Sequence, residues 1–128
     1  MRIPSYAFAL VAAAALVVPQ IASAHAKLVT STPAANSTVA KPTKIELRFN
    51  EALMGATASA QVVMTGMPGM ADHAPMKISG FTSRMGKDGK SMTLLLKRPL
   101  ATGTYTVTWS AAGKDTHRMG SSFSFTVK

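Results

Sequence analysis

Hydrophobic and polar residues alternate in several short stretches of the chain. Within residues 44–49, apolar side chains stand at every second position, in Ile45, Leu47 and Phe49. This period of two is typical of a strand with one buried and one solvated face. The same alternation near the end of the chain predicts two further core faces, made of Tyr105, Val107 and Trp109 and of Phe123, Phe125 and Val127.

Runs of β-forming residues are separated by Pro, Gly, Asn and Ser, and no segment keeps a helical period. They predict about seven strands, over 27–31, 44–49, 59–64, 77–82, 91–96, 104–110 and 122–127, with one helical turn over 50–53. Such spacing indicates an all-β fold. We expect a single antiparallel Greek-key β-barrel or an Ig-like β-sandwich.

The first 24 residues have a different character from the rest. Arg2 precedes an apolar, alanine-rich run over 6–18, and Ala22-Ser23-Ala24 forms the small-x-small pattern that a signal peptidase cleaves. The run is shorter than the roughly 20 residues of a membrane span. We therefore predict a cleaved secretory signal peptide at 1–24 and one mature domain at 25–128. The mature protein is expected in the periplasm and not embedded in a membrane.

Composition narrows the possible functions. The chain has no cysteine, so a soft metal ligand must be a methionine thioether. Without the signal, 13 basic residues face five acidic ones, which gives a net charge of +8. The basic residues are scattered and the chain is exported, so nucleic acid is not an expected partner. Sparse acidic residues and the absence of a glycine-rich phosphate loop also argue against an enzyme.

Methionines are concentrated in one segment. Four of the eight in the mature chain lie within residues 64–76, among two prolines and two glycines. This composition predicts a long surface loop. Thioethers select the soft ion Cu(I), and a histidine can add a nitrogen. The candidate Cu(I) ligands are Met64, Met67, Met70, His73 and Met76. The alternative is that the methionines fill the core, and this is strongest for Met64, at a strand end.

The three histidines all lie outside the predicted strand cores. Cleavage after Ala24 would give His25 a free α-amine, which together with its imidazole suits Cu(II). Asp115 and His117 are two residues apart, so in an extended segment both face one side and can bind the same ion. The alternative for this pair is an ordinary turn with a surface histidine.

Together these motifs resemble the CopC family of periplasmic copper-resistance proteins. The resemblance is carried by the opening His25-Ala-Lys-Leu-Val, by Ser31-Thr-Pro-Ala, Lys44-Ile-Glu-Leu-Arg-Phe and Met64-Thr-Gly-Met-Pro-Gly-Met, and by Asp115-Thr-His. It implies a β-barrel or sandwich with two separated copper sites. The implied Cu(II) ligands are His25, Asp115 and His117, and the implied Cu(I) ligands are Met64, Met67, Met70, His73 and Met76.

The chain departs from the family pattern at two positions. His73 follows Met70 one residue later than the family spacing implies, and Arg118 stands where the family usually has a proline. The first departure leaves open which sulfurs act together with His73. The second places a positive charge beside the implied Cu(II) ligands.

The predicted function is a periplasmic copper-binding carrier, buffer or chaperone in copper resistance and homeostasis. Its expected partners are copper ions and an inner-membrane copper transporter or another periplasmic copper protein. Two alternatives remain. A copper-dependent oxidative enzyme with an N-terminal histidine chelate would need aromatic surface to grip sugar, and the chain has one tryptophan and two tyrosines. A metal-free Ig-like interaction domain would leave copper tolerance unchanged when the methionines are replaced.

Overall fold

The computed structural model describes residues 25–70 and 74–128. The predicted signal peptide at 1–24 and the candidate ligand His73 lie outside these residues. In the described ranges, no helix combines the length and the apolar character needed to cross a membrane.

Two β-sheets enclose one core. The strands are β1 (Leu28–Thr32), β2 (Thr38–Val39), β3 (Lys44–Phe49), β4 (Ser59–Gly66), β5 (Met76–Ile78), β6 (Phe81–Met85), β7 (Ser91–Leu96), β8 (Gly103–Ala112) and β9 (Arg118–Val127), with a 3-10 turn at Gly55–Thr57. One sheet has the order β1-β3-β7-β6 and the other β2-β9-β8-β4-β5. The described strands do not close into one barrel, so the all-β prediction is confirmed in its sandwich form.

The core lies where the predicted apolar faces meet. β3 buries its three alternate apolar side chains, and β8 and β9 bury most of theirs against them. Burial of one such side chain contributes about 1.5–3 kcal/mol. Phe49 packs edge-on against Trp109 at 4.9 Å, and Tyr105 stacks on Phe125 at 5.8 Å. Phe123 is half-buried and packs against this cluster.

One predicted strand proves to be two. The segment 77–82 contributes β5, which pairs with β4 in one sheet, and β6, which pairs with β7 in the other. Ser79 and Gly80 carry the chain between the sheets, and the Gly80 carbonyl accepts a hydrogen bond from the Lys97 N–H at 2.8 Å. A continuous β-forming run therefore does not reveal a change of sheet.

Two further details differ from the sequence prediction. β2 is a two-residue strand that pairs in parallel with β9, whereas the other strand pairs are antiparallel. The helical turn expected over 50–53 forms instead at Gly55–Thr57. The described residues therefore contain nine strands where about seven were expected, because β2 is too brief to show a period and the run 77–82 divides between β5 and β6.

The sandwich has two ends that differ in chemistry. At the histidine end, β3 and β8 finish and β1 and β9 begin, so His25 lies near the β8–β9 loop. At the methionine end, β4 runs into the methionine segment beside the start of β8. Gly103 permits a close approach there, since a Cβ would lie 2.6 Å from the Gly66 carbonyl oxygen and 3.0 Å from Met64 Cε.

Candidate metal centres

Three residues that the sequence proposes as Cu(II) ligands converge at the histidine end. Nδ1 of His25 lies 2.8 Å from Oδ2 of Asp115, and Nδ1 of His117 lies 3.5 Å from the same oxygen. One ligand atom from each residue lies within 4.8 Å of the others. Opposite ligands of one ion are about 4 Å apart at bond lengths of about 2 Å. The separation of these ligand atoms is therefore close to that expected at a single metal site.

A turn, rather than an extended segment, brings Asp115 and His117 together. Thr116 adopts a φ of 64°, and its N–H donates to the Gly113 carbonyl at 3.0 Å. Oδ1 of Asp115 accepts a hydrogen bond from the backbone N–H of His117 at 3.2 Å. This leaves Oδ2 facing the two imidazoles. The expected shared face of residues i and i+2 is therefore the wrong explanation for their proximity.

The imidazole of His25 has the properties of an available ligand. Its side chain is 42% exposed, yet Nδ1 itself is buried and has no aligned hydrogen bond. The short contact with Asp115 brings the two atoms close without the geometry of an N–H···O bond. Burying a polar atom without such a bond costs free energy. A cation between this nitrogen and the carboxylate would satisfy both atoms.

Asn50 holds the segment that carries His25. Its Oδ1 accepts from the Lys27 N–H at 2.8 Å, and its Nδ2 donates to the His25 carbonyl at 3.2 Å. Its own N–H donates to the Lys27 carbonyl at 3.1 Å. No sequence motif marks Asn50 for this role, because its partners are backbone atoms more than 20 residues away.

Two charged residues, Arg118 and Glu51, flank the three candidate Cu(II) ligands. The Arg118 guanidinium donates from Nη1 to the Thr57 carbonyl at 3.1 Å and to Ser110 Oγ at 2.9 Å. These bonds hold the charge against the 3-10 turn and β8. Glu51, which follows Asn50, has a buried Oε1 with no hydrogen-bond partner in the described part of the chain. Its carboxylate is not part of the three-residue group.

The methionine segment is more ordered than the predicted loop. Met64 on β4 stands opposite Met76 on β5. Beyond them, Met67 and Met70 exchange backbone hydrogen bonds of 3.2 and 2.9 Å. The expectation of a long loop over 65–76 is therefore wrong at its ends, where strand pairing continues. Because paired residues of antiparallel strands are neighbours, the fold groups the methionines in two pairs.

The four described methionines of this segment differ in exposure. Met64 is 5% exposed and belongs to the core, whereas Met67, Met70 and Met76 are 36%, 56% and 54% exposed. Met64, Met67 and Met76 line a cavity of about 520 Å³, to which Tyr105 contributes a wall. Met64 thus combines the two alternatives set out from the sequence, a core position and a place beside the other thioethers.

The two clusters are far apart. β8 starts at the methionine end, finishes at the histidine end and has 10 residues. Strands rise about 3.3 Å per residue, so the ends are separated by roughly 30 Å. No single ion can contact both clusters.

Known proteins share this architecture. A family model described as the CopC domain matches residues 28–128. The chain is 47% identical over 116 residues to Copper resistance protein C of Pseudomonas syringae pv. tomato, covering 91% of this chain and 90% of that protein. It is 44% identical over 107 residues to Copper resistance protein C of Escherichia coli, covering 84% of each.

Solved structures agree with this relationship. The crystal structure of PcoC, a methionine-rich copper resistance protein from Escherichia coli, matches with a TM-score of 0.74 and 42% identity, over 82% of this chain and 100% of that chain. CopC from Methylosinus trichosporium OB3b shares the fold, with a TM-score of 0.64 and 24% identity over 81% of this chain and 94% of that chain. The chain therefore belongs to the CopC family.

Proposed function

We propose that this chain is a periplasmic copper-binding protein that carries, buffers or delivers copper in copper resistance and homeostasis. The observation that carries the proposal is the convergence of His25, Asp115 and His117 within 4.8 Å. Relatives named as copper resistance proteins, at 47% and 44% identity, support copper as the metal.

The histidine end is the proposed Cu(II) site. Removal of residues 1–24 gives His25 a free α-amine, which adds a nitrogen to the two imidazoles and the Asp115 carboxylate. Cu(II) prefers nitrogen and oxygen donors of this kind. Asn50 holds the backbone of residues 25–27, so the donors are positioned before the ion arrives. Such preorganisation reduces the ordering that binding would otherwise require.

The methionine end is the proposed Cu(I) site, with Met64, Met67, Met70, His73 and Met76 as ligands. Thioethers are soft and carry no proton, so they favour Cu(I) over the hard ions of the medium. The pairing of Met64 with Met76 and of Met67 with Met70 supports a shared site. Exposure of three of the four described methionines supports access from solvent.

Two sites at opposite ends let one carrier hold copper in both oxidation states. We propose binding and transfer, rather than catalysis, as the activity. The receiving partner is an inner-membrane copper transporter or another periplasmic copper protein. The chain itself is exported and then released from its signal peptide.

A titration of the mature chain 25–128 tests this function. We expect one Cu(II) to bind in air, and one Cu(I) to bind under anaerobic conditions in competition with a Cu(I) chelator. A chain with one glycine added before His25 should lose most of its Cu(II) affinity and keep Cu(I), because the imidazole no longer shares its residue with the amine. Absence of binding in both oxidation states would refute the proposal.

Two measurements examine the remaining elements of the proposal. Mass spectrometry of the exported protein should show His25 as the first residue. Incubation of the Cu(II)-loaded protein with a reductant and polysaccharide should yield no oxidised sugar. Release of oxidised oligosaccharides would instead favour the copper-dependent enzyme.

A further inference from the structure

The cavity beside the methionines has a cationic rim. Its inner wall includes Leu100, which is 4% exposed, and Tyr105, which is 1% exposed. Three charged residues, Lys77, Lys97 and Arg98, also line it. None of these three forms an ion pair within the described residues, where the only non-histidine salt bridge joins Lys44 to Glu46. Among the described residues, no acidic neighbour therefore neutralises the positive charge of the rim.

The same end of the sandwich carries further positive charge. Lys41 precedes Pro42, whose carbonyl accepts a hydrogen bond from the Leu100 N–H at 3.1 Å. Lys128 follows β9, and its N–H donates to the Val39 carbonyl at 2.9 Å. Both lysine side chains are exposed. The methionine end is thus a cationic surface with an apolar recess.

Acidic residues of the described chain lie elsewhere. Asp115 and Glu51 are at the histidine end, and Asp88 lies in the β6–β7 turn, whose Gly89 carbonyl bonds to the Leu53 N–H at that same end. Glu46 pairs with Lys44 at 3.2 Å. The fifth acidic residue falls within 71–73, outside the described residues. The mature charge of +8 is therefore unevenly distributed.

Burial raises the pKa of Tyr105 above its ordinary value, against the opposing effect of its hydrogen bond to the Ala101 carbonyl at 2.7 Å. The phenol is consequently neutral at physiological pH and adds no negative charge to the cavity wall. A ligand that enters here must be apolar in the recess and anionic at the rim.

We propose that this cavity and its rim are a docking surface for an acidic, methionine-containing segment of a partner protein. One apolar side chain of that segment enters the recess, and its carboxylates face Lys77, Lys97 and Arg98. Charge complementarity of this kind speeds association and selects partners. A flat, anionic bilayer fits less well, since it cannot reach the nearly buried Leu100 and Tyr105 at the cavity wall.

This inference rests on the proposed function for its purpose, because it places the partner beside the proposed Cu(I) site. A partner thioether in the recess lies next to Met64, Met67 and Met76. Copper can then pass from one set of sulfurs to another by stepwise ligand exchange, without a change of oxidation state. Lys77, Lys97 and Arg98 also repel the positively charged copper ion, and this repulsion favours its transfer to an acidic partner.

Peptide binding tests the docking surface. The probe is a fluorescent octapeptide in which two methionines alternate with aspartate and glutamate, titrated with copper-free mature protein. We expect saturable binding that weakens at least tenfold between 0.05 and 0.5 M salt, because exposed charges are screened. Replacing the peptide methionines by serine should also weaken binding at least threefold, and replacing its acidic residues by lysine should abolish it.

Two protein variants with equal net charge separate the rim from general electrostatics. The rim variant combines Lys77→Glu, Lys97→Glu and Arg98→Glu, and we expect at least tenfold weaker peptide binding. The control variant combines Lys87→Glu, Lys90→Glu and Lys114→Glu, three exposed cations away from this cavity. It should bind within threefold of the natural protein. Equal losses in both variants would overturn the proposal.

Methyl NMR and vesicles complete the test. On peptide addition, the methyl signals of Met64, Met67 and Met76 should shift, while those of Met54 and Met119 stay in place. Vesicles with phosphatidylglycerol should bind more weakly than the peptide, and the reverse order would overturn the proposal in favour of a membrane. Cu(I) affinity is measured separately on each variant. Peptide docking without Cu(I) binding would therefore refute the proposed Cu(I) site and leave the docking surface intact.

Discussion

The side-chain amide of Asn50 donates a hydrogen bond to the backbone carbonyl of His25 at 3.2 Å. Its oxygen also accepts from the Lys27 N–H at 2.8 Å. The end of β3 thereby holds residues 25–27 beside the loop that carries Asp115 and His117. The proposed Cu(II) site depends on this attachment, because a free terminus would have to be ordered when the metal binds.

Replacing Asn50 by alanine should weaken Cu(II) binding without abolishing it. Each lost hydrogen bond contributes about 0.5–1.5 kcal/mol. We expect a dissociation constant about tenfold higher, which corresponds to about 1.4 kcal/mol. Isothermal titration of the folded variant measures this change, and Cu(I) affinity should be unaffected. Ser37→Ala is the control, since it removes one side-chain hydrogen bond, to the Ala34 carbonyl at 2.6 Å, away from the site. Unchanged Cu(II) affinity in Asn50→Ala would contradict the positioning role.

The Asp115 carboxylate should matter through its charge. Asp115→Asn keeps an oxygen that can accept the turn hydrogen bond, but it removes the negative charge facing the two imidazoles. We expect Cu(II) affinity to fall about a hundredfold, which corresponds to about 2.7 kcal/mol. Electron paramagnetic resonance would then show an altered Cu(II) signal. Asp88→Asn is a matched control, because Asp88 Oδ1 accepts from the Lys90 N–H at 2.9 Å in a similar turn. Equal effects of the two substitutions would argue against a ligand role.

Replacing exposed methionines should reduce Cu(I) binding while leaving the fold intact. The double substitution Met67→Leu and Met76→Leu keeps the apolar volume and removes two sulfurs. We expect Cu(I) affinity to fall at least tenfold, with a change in the unfolding midpoint below about 3 °C, as is usual for surface substitutions. Met54→Leu is the control, because Met54 is 44% exposed and its N–H bonds to Ala112 at the histidine end. A Cu(I) affinity that survives the double substitution would remove these two sulfurs from the site.

The two sites should respond differently to pH. The α-amine and both imidazoles of the proposed Cu(II) site must lose their protons to bind, so protons compete with the metal. Lower pH stabilises the metal-free form, and Cu(II) affinity should fall about a hundredfold or more between pH 7.5 and 5.5. Thioethers carry no proton, so the Cu(I) affinity should fall by less than about tenfold, through His73 alone. Parallel competition titrations at several pH values measure both. An equal loss in the two oxidation states would contradict the proposed ligand sets.

Residue chemistry and periodicity determined much of the outcome. Alternation in residues 44–49 predicted β3 and its buried face, since side-chain direction in a strand depends only on position along it. The sequence also indicated candidate ligands, in the methionines between 64 and 76 and in the histidine at the predicted mature terminus. It could do so because the metal preference of a donor atom is a property of its own side chain.

Only the tertiary structure decided which of these residues meet. His25 and Asp115 are 90 residues apart in the sequence and become neighbours through the register of β1 on β3 and of β8 on β9. The attachment by Asn50 and the division of residues 77–82 between two sheets likewise leave no local pattern. A sequence pattern reports what one segment prefers, whereas these contacts depend on how distant segments pack against each other.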